Sequence, residues 1–476
     1  MSQPTEPANA APDGEIKEYK IHASRKYLDL TRQKLELARL PREVPDADSK
    51  AWWNPKPTLE PLIDFWRVAA HESLGRWLEH YSWEDYEKEL NESVPQFRIS
   101  IQTSTAEAPS RIHFIHARSR HPNAVPLMLI PPFPFTNLSF RHTTDAFTDP
   151  DDANTDQPFH LVIPSLPGLG FSDSLPNNVH VISTTSEMLD TLMKRLGYKY
   201  YLATNSGSSI TPQGGIDWKI INHLAAHHVD SCLGVHFISP PLSAPKALKS
   251  PVEWLKLTVA RTLQASVLGY AKEDIIALQR SERERAKKPP TADITTLGSF
   301  GAGAFDPNTL AYALCDSPTG LLVFFLTLIR MLGSDKEFTS SELITIAKLT
   351  WLPGPEGTMR LWAENYLSGG KETGAKSWRK PKASITVFLA DESPSQSEAD
   401  SARKAVSSRS AHPYVCPSWG RQHYEVVWTG RVRGKQGLLA WERPQVIADG
   451  ARNLAKALLA VDKGLFEAEN PVDRTV

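Results

Sequence analysis

The sequence predicts an α/β protein: a doubly wound, largely parallel sheet with a helical cap. Three observations carry this. Short, unbroken apolar runs recur at Pro126–Ile130, Phe159–Pro164, Tyr200–Asn205 and Leu233–Ile238, with helical patterns between several of them. Strands buried on both faces of a parallel sheet read in this way. Residues 245–370 are mainly helical and interrupt the alternation, as a cap over the sheet's carboxyl edge would. Strand patterns then resume at Ala383–Phe388 and Glu425–Trp428, and a last helix is expected over Pro444–Leu459.

Taken in order, residues 1–20 are polar, Pro/Ala-rich and expected to be disordered. Leu28, Leu30, Leu35, Leu37 and Leu40 fall at roughly helical spacing, so a helix is expected from Tyr27 to Leu40, stopped by Pro41. After a Trp/Pro-rich connector, a second helix contains Leu62, Phe65 and Trp66, and a third covers Ser82 to Leu90. Arg98–Ile101 and Arg111–His116 alternate as half-buried strands do. This divides the chain into an N-terminal region (21–100), a first core segment (101–244), the cap (245–370) and a second core segment (371–476). Within the last, Ser393 to His412 is rich in Ser and charge and reads as a mobile excursion.

Composition excludes several function classes. The formal net charge is −1 with no long basic run, so nothing electrostatic points to nucleic acid. Three widely spaced cysteines argue against a disulfide framework and for a reducing compartment. No Cys or His cluster has metal-ligand spacing, so neither metal nor cofactor is expected. Gly320–Ile329, the most apolar stretch, stops at Arg330 and falls short of the roughly 18 residues a span needs, so it reads as a buried helix. A cytoplasmic protein with no membrane span is expected.

The chemistry centres on Tyr200-Tyr201-Leu202-Ala203-Thr204-Asn205-Ser206-Gly207-Ser208-Ser209. A strand runs into small residues that permit a sharp turn. In an α/β sheet such a turn presents a nucleophile and aims backbone N–H groups at the reacting oxygen. Gly-x-Ser-x-Gly is absent, and so is an acid within the turn.

Further motifs stand in a recognisable order: Ala38-Arg39-Leu40-Pro41, Phe65-Trp66, Tyr81-Ser82-Trp83, Pro95-Gln96-Phe97, Arg111-Ile112-His113-Phe114, Pro164-Ser165-Leu166-Pro167-Gly168-Leu169-Gly170-Phe171-Ser172, Ala311 to Leu321, and Ala440-Trp441-Glu442-Arg443-Pro444. Together they resemble the microsomal-type epoxide hydrolases over nearly the whole chain. The resemblance implies the α/β-hydrolase fold with an N-terminal helical extension and a helical cap. It also implies a two-step chemistry. An Asp attacks the epoxide carbon, two cap tyrosines donate to the departing oxygen, a His–acid pair activates water, and an oxyanion hole stabilises ester hydrolysis.

Carried across residue by residue, most of those parts are replaced. The Asp position falls at Gly207, the His position at Gly437, the first cap Tyr at Ser299 or Phe300, and the second at Trp362. The His-Gly-x-Pro turn is Pro131-Pro132-Phe133-Pro134. The acid position holds Asp391, followed by Glu392. Asp217, in Gly214-Gly215-Ile216-Asp217-Trp218, resembles the family's Gly-Gly-Asp-Trp with one residue inserted. Roughly eight extra residues precede its helix relative to the family.

Ser206 and Ser208 have two readings, as turn formers and as substitute nucleophiles. Asp217 likewise reads as a first-turn helix acid or as a nucleophile. His113, His116, His227, His228 and His236 sit in strand or helix contexts and read as structural, and His423 has no supported place as a base. The expected pocket is Phe133, Phe135, Asn205, Gly207, Phe300, Trp362, Gly437 and Leu438, with Asp391 or Glu392 as the acid/base. Aromatics in place of ionisable groups suit a lipophilic small molecule. The expected function is a non-hydrolytic cyclase or isomerase (pericyclic or dehydrative) acting on a natural-product-like intermediate of secondary metabolism. The alternatives are a residual epoxide or ester hydrolase using Ser206, Ser208 or Asp217, and a non-catalytic binding protein. A homodimer is the expected assembly.

Overall fold

A computed structural model describes residues 14–41, 56–69, 82–176, 178–207, 215–287, 307–367, 380–389, 414–461 and 465. Among these a single sheet of nine strands runs in the order β1-β2-β3-β5-β4-β6-β7-β8-β9. The strands are β1 Ile16–Glu18, β2 Gln96–Ile101, β3 Ser110–Ala117, β4 Val125–Ile130, β5 Phe159–Pro164, β6 Tyr201–Asn205, β7 Cys232–Ile238, β8 Lys382–Leu389 and β9 Glu425–Arg433. The first three are antiparallel, and β3 pairs antiparallel with β5. From β5 onward every pairing is parallel.

Helices α1 Arg25–Glu36, α2 Lys56–Ala69 and α3 Trp83–Ser93 precede β2. Between the core strands lie α4 Thr144–Thr148, α5 Val181–Arg195 and α6 Ile216–His227. Among the described residues six helices lie between β7 and β8: α7 Pro251–Leu263, α8 Lys272–Lys287, α9 Pro307–Asp316, α10 Pro318–Met331, α11 Ser340–Trp351 and α12 Glu356–Leu367. The short α13 Leu439–Glu442 and then α14 Pro444–Leu459 follow β9.

The central strands are buried on both faces, which is why their sequences are unbroken apolar runs: β4 and β6 have no exposed residue. On one face α14 packs on the sheet with Ile447, Ala451, Leu454 and Leu458 buried, Leu454 and Leu458 lying over β7. Each such large aliphatic side chain contributes about 1.5–3 kcal/mol. Gly234 of β7 admits this helix, since a Cβ there would lie 2.7 Å from Leu458 Cδ1. On α10, Leu321, Leu322, Phe325 and Leu328 are buried, as befits a core helix. No single helix among the described residues is long and apolar enough to cross a membrane.

Three boundaries differ from expectation. Ile16–Glu18, within the stretch read as disordered, forms β1, because Ile16 pairs with Ile99 and packs on the core. Helix α1 stops at Glu36 rather than Leu40. Leu37 is 82% exposed, so the apolar periodicity that suggested continuation buries nothing there. Strand β9 runs five residues past Trp428 to Arg433, paired with β8 throughout. The segment 393–412 lies outside the described residues.

The topology sets the site. The chain passes from β4 outward to β5, then returns past β4 to β6 and continues to β7. The strand order therefore reverses between β4 and β6, and at such a switch point the loops leaving the two carboxyl ends diverge to leave a crevice. Ile130 is paired with Asn205, so Pro131–Phe133 and Ser206–Gly207 leave the sheet side by side.

Candidate active site

Asn205, the last residue of β6, is 2% exposed and acts as a clamp. Its Oδ1 accepts from the N–H of Ile238 at 3.0 Å, and its Nδ2 donates to Asp217 Oδ2 at 3.2 Å. One side chain thus ties the carboxyl end of β7 to the first turn of α6. Gly207 follows with φ of +79°, a left-handed conformation that a side chain disfavours. Its carbonyl accepts a hydrogen bond from Gln436 Nε2, in the loop that precedes α13.

Asp217 stands in the first turn of α6, as its helix-acid reading expected, yet it is not a surface acid. The residue is 1% exposed, and Oδ1 has no hydrogen-bond partner. Burial disfavours the carboxylate and raises its pKa to about 7. The N–H of Trp218, the Asn205 amide and the N–H of Gly207 all pull the other way without cancelling it. A carboxyl group is therefore held close to the turn, and near neutrality it is partly protonated.

Ser206 is buried, and its Oγ lacks a hydrogen-bond partner. Among the described residues no histidine hydrogen-bonds to Ser206 or to Asp217. His142 Nε2 donates to the Ala440 carbonyl at 2.8 Å. His236 spans Thr204 and Thr386 at 2.9 Å to each, inside the sheet. His113 lies between Gln96 and Asn137, and His423 follows the 3-10 turn Pro417–Gln422.

The aromatic residues divide into two groups. Phe133 stacks on Trp362 of α12 with ring centroids 5.2 Å apart, which joins the loop after β4 to the helical insertion. Phe135 packs instead between Trp441 and Phe325, at 4.8 and 6.2 Å, as part of the seam between α10 and α13. Gly437 has φ of +59°, and a Cβ there would lie 2.4 Å from Glu442 Oε2. Glu442 accepts from the N–H of the buried Leu438 at 3.0 Å and from Ser334 Oγ at 2.8 Å. The structure thus gathers Asn205, Ser206, Gly207 and Asp217 in one place. Ser208, Phe300, Asp391 and Glu392 lie outside the described residues.

Sequence reasoning missed Ile238, Gln436 and Glu442. Ile238 was visible only as the end of an apolar run, and Gln436 only as the neighbour of Gly437. Among the described residues no group of three or more His, Cys, Asp or Glu is placed to hold a metal ion. An open cleft of about 920 Å³, lined by Asn123, Asp156, Trp428 and Arg452 among others, includes none of Asn205, Ser206, Gly207 and Asp217.

Residues 16–140 match the family described as epoxide hydrolase N terminus. A putative epoxide hydrolase of Stigmatella aurantiaca is 26% identical, covering 75% of this chain and 71% of that one. Juvenile hormone epoxide hydrolase 2 of Ctenocephalides felis is 24% identical over 74% and 70%. Among solved structures, juvenile hormone epoxide hydrolase from the silkworm Bombyx mori superimposes with a TM-score of 0.66 at 18% identity, covering 94% of this chain and 96% of that one. The fold is that of the α/β-hydrolases, and the N-terminal match and these relatives support a place near the microsomal-type epoxide hydrolases.

Proposed function

We propose that this chain is a non-hydrolytic member of the family, a cyclase or isomerase in which Asp217 serves as a proton donor to a lipophilic substrate. The observation that carries the reading is the Asp217 carboxyl: fully buried, raised to about 7, held by Asn205 beside the Gly207 turn, and without a histidine partner among the described residues. The ester mechanism needs an ionised nucleophile and a base that activates water. A buried, partly neutral carboxyl is suited instead to general-acid work near neutral pH.

The step balances without a second reactant. Protonated Asp217 gives its proton to an oxygen of the substrate, such as an epoxide oxygen, as the carbon–oxygen bond breaks. A hydroxyl or alkene of the same molecule attacks the electron-poor carbon and closes a ring. The proton this releases returns to the Asp217 carboxylate, so product and substrate share one formula. The Phe133–Trp362 pair would shape the apolar wall and, through its ring faces, stabilise developing positive charge. Helices α7–α12 would be the cap that excludes water. Three free cysteines fit the reducing, cytoplasmic setting we assign.

A second reading is an ordinary epoxide hydrolase with Asp217 as nucleophile. The relatives' names and the Asp217-Trp218 sequence favour it. Mass spectrometry of products from hydroxylated, lipophilic epoxides separates the two. Unchanged mass with a new ring, lost in Asp217→Asn, supports the cyclase. A gain of one water, with a trappable ester on Asp217, overturns it. Substrate returned unaltered would make the chain a binding protein.

A further inference from the structure

Helix α7, the first in the insertion between β7 and β8, leaves one face without a partner among the described residues. Val252, Leu255, Val259 and Leu263 fall at intervals of three and four, so they form a single stripe along the helix. Val252, Leu255 and Leu263 are 63, 57 and 59% exposed, whereas Leu257 and Ala260, on the opposite face, are buried. Both ends of the stripe continue onto loops, at Leu248, which is fully exposed, and at Leu268, which is 51% exposed. Single exposed leucines are ordinary on a protein surface, but a continuous row over three turns of helix and both flanking loops is not.

The charge around the stripe selects its occupant. Leu248 sits in a turn closed by the N–H groups of Lys249 and Ser250 on the Lys246 carbonyl. Lys246 and Lys249 are exposed and form no ion pair among the described residues. From Lys246 to Arg283 the sequence holds seven Lys and Arg against four Asp and Glu, although the whole chain carries −1. One of the four acids, Asp274, is buried in a pair with Arg431. A second copy docked on this face would bring like charges together. An anionic surface would meet them with the opposite sign.

We propose that the α7 face is a peripheral docking surface for anionic phospholipid, with the apolar row entering the headgroup boundary and Lys246 and Lys249 facing lipid phosphates. Such binding needs no membrane span. It is independent of the reaction assigned above.

The test uses the full chain and sedimentation with vesicles of phosphatidylcholine alone or mixed with phosphatidylserine. Binding to the mixed vesicles is expected, weakened by added salt. The double variant Leu255→Glu/Leu263→Glu should lower it about tenfold or more, and Lys246→Glu/Lys249→Glu should lower it about tenfold. All four positions are exposed, so circular dichroism of the variants should match the parent. Equal sedimentation of parent and variants, or none with either vesicle, overturns the proposal. So does concentration-dependent dimerisation abolished by Leu255→Glu, which would make this face a self-interface.

Discussion

Ile238 occupies the space that a side chain at Gly207 would need: a Cβ built there lies 2.3 Å from Ile238 Cγ2. The turn where the family resemblance places a nucleophile is therefore closed as well as empty. Asn205 fixes that arrangement, because the same amide that holds Asp217 also accepts from the Ile238 N–H.

The first prediction concerns Gly207→Asp, the substitution that rewrites the turn toward the family pattern. An L-residue at φ of +79° costs about 1–2 kcal/mol, and overpacking against Ile238 adds about 1–3 kcal/mol. Chemical denaturation should show the variant destabilised by about 2–5 kcal/mol, with no diol formed from epoxides. Adding Ile238→Ala should recover part of the stability. Diol formation by the single variant would show that the turn can hold a working acid after all.

Gly437→His, at the position expected for the base, should fail for a parallel reason. A Cβ there meets the Glu442 carboxylate, which is engaged with the Leu438 N–H and Ser334. The backbone is also left-handed at φ of +59°. We expect a loss of about 2–4 kcal/mol and no hydrolysis by Gly437→His alone. Detecting hydrolysis in that variant would count against the closed-site account.

Asp274 anchors the helical insertion to the edge of the sheet. Its carboxylate accepts from Arg431 Nε and Nη2, each at 2.7 Å, and from Tyr414 OH at 2.7 Å. The carboxylate is shielded from water, and Arg431 holds its pKa below the usual range despite burial. Removing one partner of a buried pair strands the other, so Asp274→Ala should cost about 3–5 kcal/mol. Arg431→Met with Asp274→Leu should cost much less, as measured by urea midpoints.

How much of this was legible in the sequence depends on which physical rule decides each feature. The parallel strands β4 to β8 and α14 were readable because burial on two faces, or on one stripe, writes itself into apolar periodicity. Strand β1 was not, since three residues at a sheet edge carry no pattern that separates them from a polar tail. At the site, Gly207 and Gly437 were found by counting from motifs. The reasons they must be glycine were not, because Ile238 lies 31 residues beyond Gly207 and touches it only across neighbouring strands. Asp217 was legible as a residue and as a first-turn acid, whereas its burial depends on Asn205 and the β7 end folding over it. Phe135 was read as pocket from proximity in sequence, yet its ring points into the Trp441 and Phe325 seam.

Two buried histidines should make the fold acid-sensitive. Burial lowers the pKa of His236 to about 3; for His113 burial and the nearby Arg98 do the same. Folding therefore favours the neutral rings. Their contribution is fully present above pH 6.5, the unfolded value, and is lost as pH falls from there toward 3. Urea midpoints should drop steadily across that window, and His236→Gln should flatten the slope by about one proton. An unchanged slope in the variant would assign the acid sensitivity to other groups.

Asp217 carries the opposite sign, and this distinguishes a working acid from a structural one. Its folded pKa of about 7 lies above the unfolded 3.8, so the native state keeps a proton that the unfolded chain releases. The resulting penalty is absent below pH 3.8, grows as pH rises through that window, and is complete above 7, where it amounts to about 4 kcal/mol. Asp217→Asn removes the titration while keeping a neutral group able to pair with Asn205. The variant should match the parent near pH 4 and exceed it by a few kcal/mol at pH 8. A residue kept for stability alone would not be retained at such a cost. If Asp217 is instead the proton donor, the stabilised variant should lose turnover at every pH, and parent activity should fall as pH rises past about 7. A stabilised variant with full activity would remove Asp217 from the mechanism, and a pH-independent stability difference would show that its carboxyl is not held neutral.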